Sequence, residues 1–131
     1  MRYALLIKYP QSSGAAVSAE AMEAGKVAFR AYAKALTEAG VLQSAEMFEP
    51  AGTSITVLVR DGKRQTRKAP TGDSNEMLAG VFILDVPDLD AAIEWAGKCP
   101  AAQWGSVEIR ASALRVIDGE WVYSAAEAVS R

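Results

Sequence analysis

No histidine occurs among the 131 residues, and Cys99 is the single cysteine. The first absence removes the side chain most used as a general base near neutral pH and as a metal ligand. The second rules out an intrachain disulfide, which suits a reducing cytoplasm. With no histidine to deprotonate it, Cys99 reads as a small apolar residue at a helix end rather than a nucleophile. The carboxylates are too scattered for a metal motif, so neither a metal nor a cofactor is expected. Positive charge is not in excess either, since 14 Lys and Arg stand against 16 Asp and Glu for a formal charge of −2. Nucleic acids and anionic membranes are bound by clustered basic excess, so neither is expected as a partner. The opening "MRYALLIKYP" is too short an apolar run for a signal peptide or a membrane span, and a cytoplasmic location is expected.

What is present is the pattern of a single domain covering 1–131, long enough to bury a core without staples. "RYALLIKY" reads as a first strand stopped by Pro10. Ser18 opens a long helix, with Glu20 in its first turn, and Met22, Phe29, Ala33 and Leu36 fall on one face before Gly40 ends it. "VLQSAEMFEP" is a second strand, and "SITVLVR" and "KRQTRK" flank an Asp61-Gly62 hairpin turn. "LAGVFILDV" is continuously apolar, as in a central strand covered on both faces. Asp88 caps a second helix whose Leu89, Ala92, Ile93 and Ala96 should face the core, with Trp95 at the edge of the stripe. "SVEIRAS" is a further strand, and "LRVIDGEWVYS" turns at Asp118-Gly119 before an Ala-rich tail. This order predicts an α+β fold of ferredoxin-like, split βαβ type, an antiparallel sheet with both helices on one face. The other face would carry Leu, Val and Phe, so a homodimer packed sheet to sheet is expected, with small-molecule clefts at the junction.

Several side chains are candidates for chemistry. Glu46, in the second strand, would be a general base if an apolar setting raised its pKa; the alternative is a solvated or ion-paired edge acid. Lys68 would clamp an anion or stand exposed among the five cations of "RDGKRQTRK". Glu76 is a further acid beside it. Glu108 and Arg110 lie two apart on a strand and share a face, as a ligand site or an ion pair. Tyr3, Tyr9, Trp95 and Trp104 would either wall a pocket or pack. "TGDSNE" lacks the glycines and the Gly-Lys-Ser/Thr ending of a phosphate loop.

"AGVLQSAEMFEPA", "TVLVRDGKRQTRKAPTGDSNEMLAGVFILDV" and "LDAAIEWAGKCPAAQWGSVEIR", with the opening "MRYALLIKY", resemble the YCII-related proteins often called the DGPF family. The resemblance spans Met1 to about Arg110 and leaves 111–131 as an added hairpin and tail. It implies the dimeric α/β barrel and, through its relatives, an association with sigma factors. Where relatives carry Asp-Gly-Pro-Phe, this chain has Lys68-Ala69-Pro70-Thr71, and only Pro70 keeps its identity. The His and Asp pair proposed as catalytic in more distant relatives cannot exist in a chain without histidine. Two functions follow as expectations. One is a proton-transfer lyase or isomerase acting on a small metabolite, with Glu46 as base and Lys68 as clamp; the alternative is a non-catalytic ligand-binding or transcription-associated module. Whether the chain is an enzyme stays open at this level, as does a purely structural dimer.

Overall fold

The computed structural model describes residues 1–10, 18–68 and 76–124. Along the chain the elements are β1 (Arg2–Pro10), α1 (Ala19–Glu38), β2 (Leu42–Met47), the hairpin β3 (Thr56–Arg60) and β4 (Lys63–Arg67), β5 (Glu76–Asp85), α2 (Leu89–Lys98), β6 (Ser106–Ala111) and a second hairpin, β7 (Leu114–Ile117) and β8 (Glu120–Tyr123). Four strands form one antiparallel sheet in the order β2-β5-β1-β6. β5 inserts between β1 and β2, and β1 inserts between β5 and β6, which is the interleaving of the ferredoxin-like α+β fold. No helix among the described residues is long and apolar enough to cross a membrane.

The pleat sorts each strand into two faces. Tyr3, Leu5 and Ile7 of β1 and Phe82 and Leu84 of β5 are buried under the helices. Leu5, Ile7, Leu36 and Leu84 are sealed from solvent, each worth about 1.5–3 kcal/mol of burial. The continuous apolar run of β5 had implied cover on both faces. Among the described residues the helices cover the Phe82–Leu84 face, and Val81 and Ile83 on the other are half-buried.

α1 begins where Ser18 Oγ accepts a hydrogen bond from the Ala21 N–H at 3.1 Å, a cap worth about 1 kcal/mol. It ends in a Schellman turn. Gly40 sits at φ 74°, its N–H bonds the Thr37 carbonyl, and the Val41 N–H bonds the Leu36 carbonyl. The buried stripe is Phe29, Tyr32, Ala33 and Leu36. Met22, expected on it, is 54% exposed, because burial is confined to the carboxy-terminal half of the helix.

In α2 the expected stripe is rotated. Ala92 and Ala96 are buried, but Leu89 and Ile93 are 49% and 51% exposed. The stripe in contact with the core is Ala92, Trp95, Ala96 and Cys99, which brings the Trp95 indole edge-on to Tyr32 at 6.4 Å. Small alanines let the helix approach the sheet, and the large ring sets the rotation. The Tyr32 hydroxyl then donates to the Trp95 carbonyl at 2.7 Å, tying α1 to α2.

Both hairpins turn where expected, with positive φ at Asp61 and Gly62 and at Asp118 and Gly119. Their strands form two separate two-stranded sheets and pack chiefly on each other.

Candidate functional site

The helix-covered face is filled by core, so chemistry is concentrated on the open face of the sheet. Strand register orders that face into rows. Ser44, Ile83, Ala4 and Arg110 form one row across β2, β5, β1 and β6; Glu46, Val81, Leu6 and Glu108 form the next. Arg2 lies beyond the first row, paired with Asp85. Lys8 lies beyond the second, paired with Ser106 across β6.

Against the first row lies a cavity of about 570 Å³, lined by Arg2, Ala4, Ser44, Ile83, Arg110 and Arg115, among others. Its far wall is the chain running from the end of β6 into β7. Arg2 is half-buried, and its Nη2 atom is sealed from solvent with no hydrogen-bond partner among the described residues. Burial lowers the pKa of this guanidinium from its ordinary value, the Arg115 cation lowers it further, and Asp85 opposes both. Asp85 is itself engaged by the Met1 ammonium at 3.1 Å.

In the second row Glu108 holds two cations. Its Oε1 accepts from Lys8 Nζ at 2.5 Å, and its Oε2 lies 3.5 Å from Arg110 Nη1. The hydrogen bond and charge of Lys8, then those of Arg110, hold this carboxyl below its ordinary 4.5 against the opposing effect of desolvation. Glu108 and Arg110 are therefore brought together, with Lys8 as a third member that the sequence reading missed.

The other candidates are dispersed. Glu46 is exposed on the edge strand β2, at the opposite end of the row from Glu108 and three strand spacings away, about 14 Å. It also borders a shallower groove of about 340 Å³ between α1 and β2, with Lys26, Phe29, Arg30 and Met47. Among the described residues Glu46 therefore has the setting of a solvated edge acid, the second of its two readings. Lys68 is exposed just past β4, and no hydrogen bond or ion pair joins it to Glu46 among the described residues. Ala69, Pro70 and Thr71, which replace the family motif with Lys68, lie outside the described residues, as does the tail 125–131. Glu76 is half-buried and accepts from Ser106 Oγ at 2.8 Å.

Tyr9 stacks on Trp104 with ring centroids 5.7 Å apart, and burial pushes its phenol up to about 12. Tyr3 is core and Trp95 packs on Tyr32, so neither walls the cavity. Cys99 is buried at the end of α2, and burial raises its thiol, which keeps it protonated and unreactive. Among the described residues no three His, Cys, Asp or Glu side chains converge as a metal site.

The family model of the YCII-related domain matches residues 1–113. The chain belongs to this family. No curated protein matches the chain in the same way. The YCII-related domain thus takes in the four-stranded sheet, both helices, and the Arg2 and Arg110 sides of the cavity. The β7–β8 hairpin, which adds Leu114 and Arg115, lies just past it. Arg2 and Arg115 carry no local sequence signal: one opens an apolar strand and the other sits in a hairpin 113 positions away.

Proposed function

We propose that this YCII-related chain is a small-molecule-binding protein that takes its ligand on the open face of the sheet, in the cavity between Ala4, Ile83 and the β6–β7 segment. The single observation that carries this reading is the cavity itself. Its 570 Å³ falls within the roughly 300–1,000 Å³ of small-ligand pockets, and it joins apolar wall to a few converging polar groups.

Binding without catalysis is favoured over a proton-transfer lyase or isomerase. A general base works best with a pKa near the operating pH, and Glu108 is held the other way by Lys8 and Arg110. Glu46 stands in solvent at the far edge, and Lys68 is not joined to it. The transcription-associated role that the family resemblance implies is a use to which such a binding module lends itself.

A second copy of the chain, sheet to sheet, completes the proposal. Leu6 and Val81 lie on the open face beyond the cavity, without helix cover among the described residues. The two hairpins carry exposed Val57, Val59, Val116 and Trp121, and an isolated two-stranded hairpin is marginal in water. These surfaces give a partner its footing.

The test is a thermal-shift screen of a metabolite panel against the wild type and Ala4→Phe. The phenyl ring would fill the cavity and leave the helix-side core intact. A ligand at a hundred times its Kd stabilises by about 2.7 kcal/mol, an easily read shift. Binders of the wild type should lose their shift on Ala4→Phe; equal shifts on both proteins would place the site elsewhere.

A further inference from the structure

Three guanidinium groups border the open-face cavity, and among the described residues no carboxylate lines it. In a chain of net charge −2 this is a local reversal of sign. The nearby acids are already engaged: Asp85 by the Met1 ammonium, and Glu108 by Lys8 at 2.5 Å and Arg110 at 3.5 Å. Arg2 and Arg115 have no ion pair among the described residues. Arg2 Nη2 is also a buried donor with nothing to donate to, and such groups in folded proteins call for a missing acceptor.

Like charges gathered over an apolar floor destabilise one another unless something neutralises them. Burial first and then the Arg115 cation lower the Arg2 pKa, with Asp85 opposing them. A guanidinium presents a planar fork of donors matched to the two or three oxygens of a carboxylate or phosphate. The rest of the wall is Ala4, Ile83, Ala111, Ala113 and Leu114, which suits a hydrocarbon body rather than a second charge.

We propose that the cavity is an anion site in which Arg2, Arg110 and Arg115 hold the carboxylate or phosphate head of a small organic acid, whose apolar body lies on Ala4 and Ile83. The proposal rests on the cavity being the ligand site, and names the class of ligand it takes. Because β7 begins at Leu114, Arg115 lies just past the part of the chain that the family model matches.

Isothermal titration with benzoate, phenyl phosphate and the neutral benzamide tests it, on the wild type, Arg2→Met, Arg115→Met and Ala4→Phe. Benzoate or phenyl phosphate should saturate the wild type, and the tighter of the two identifies the preferred head. Benzamide should bind at least tenfold more weakly. Each Arg→Met change should weaken the anion on the order of tenfold to a hundredfold, as for loss of a charge-assisted hydrogen bond. Arg115→Met should also melt higher than the wild type without ligand, since it removes a repelling cation; a folding defect would instead lower the melting temperature.

Benzamide binding as tightly as benzoate, or anion affinity unmoved by both arginine changes, overturns the proposal. Neutral compounds binding in a manner abolished by Ala4→Phe, with the anions excluded, would overturn the ligand class and leave the cavity as the site. No binder sensitive to Ala4→Phe in this set or the metabolite panel would overturn both.

Discussion

Gly105→Ala should open the seam where β6 starts beside β1. A Cβ at this position would collide with the Lys8 carbonyl oxygen, and would lie 3.0 Å from the carbonyl carbon and 3.1 Å from Tyr9 Cα. These are backbone atoms, so no rotamer change relieves the clash. Gly40, Gly62 and Gly119 have positive φ and open space around them, whereas Gly105 has no such φ and its penalty is collision alone. Relief requires β6 to move off β1, straining the Gly105 N–H bond to the Ala101 carbonyl at 2.8 Å and the Lys8–Ser106 pairing. Two weakened hydrogen bonds at about 1 kcal/mol each, with overpacking strain of similar size, give a loss of about 3 kcal/mol. For a chain of this length that is a fall in Tm of roughly 10 °C. Circular dichroism melts at matched protein concentration measure it, with Gly25→Ala as control. A Cβ at Gly25 makes only ordinary contact with Trp104, 3.9 Å away, and alanine in a helix interior should stabilise by about 0.5–1 kcal/mol. A Gly105→Ala protein melting within about 3 °C of the wild type would refute the close-approach reasoning.

Two further expectations concern the open face. Lys8 holds Glu108 below its ordinary pKa, so the ion pair stabilises the fold fully above the unfolded value near 4.5, and the contribution is lost as the pH falls through the lower folded value. Denaturant titrations should therefore find Glu108→Gln less stable than the wild type near neutrality, with the difference shrinking as the medium is acidified through the lowered folded value. Parallel curves across that range would mean that the pair contributes nothing, as many exposed pairs do. Sedimentation equilibrium at micromolar concentration should give twice the 13.9 kDa chain mass, and Val81→Lys on the open face should shift the protein to a folded monomer. A 13.9 kDa wild type would remove the second copy from the proposal.

The legible part of this molecule is what local pattern encodes. Period-two burial in β1, the Ser18 and Asp88 caps and the two Asp-Gly turns follow from pleat, capping and positive-φ chemistry, and each stands where the residues put it. The errors arise where two local rules compete. In α2, bulk hydrophobicity favoured Leu89 and Ile93 as core, but close helix–sheet approach favoured the alanines, and Trp95 against Tyr32 decided the rotation. The candidate site was harder to read because its members share a place only through register. Arg110 meets Ala4 across β1–β6, Ala4 meets Ile83 across β1–β5, and Arg115 arrives on a hairpin after the sheet is complete.

Charge counting could not locate the cavity for the same reason. The densest basic stretch, Arg60 to Lys68, is exposed on its own hairpin, while the three arginines of the cavity are far apart in sequence, Arg110 and Arg115 exposed and Arg2 half-buried. A cation in a crowded basic run keeps its hydration and repels its neighbours into solvent. One stranded at the end of an apolar strand is carried toward the sheet by its hydrophobic stem, and its guanidinium must then find an acceptor there. Arg2, at the start of β1, is the case in point: its Nη2 is sealed and unmatched among the described residues.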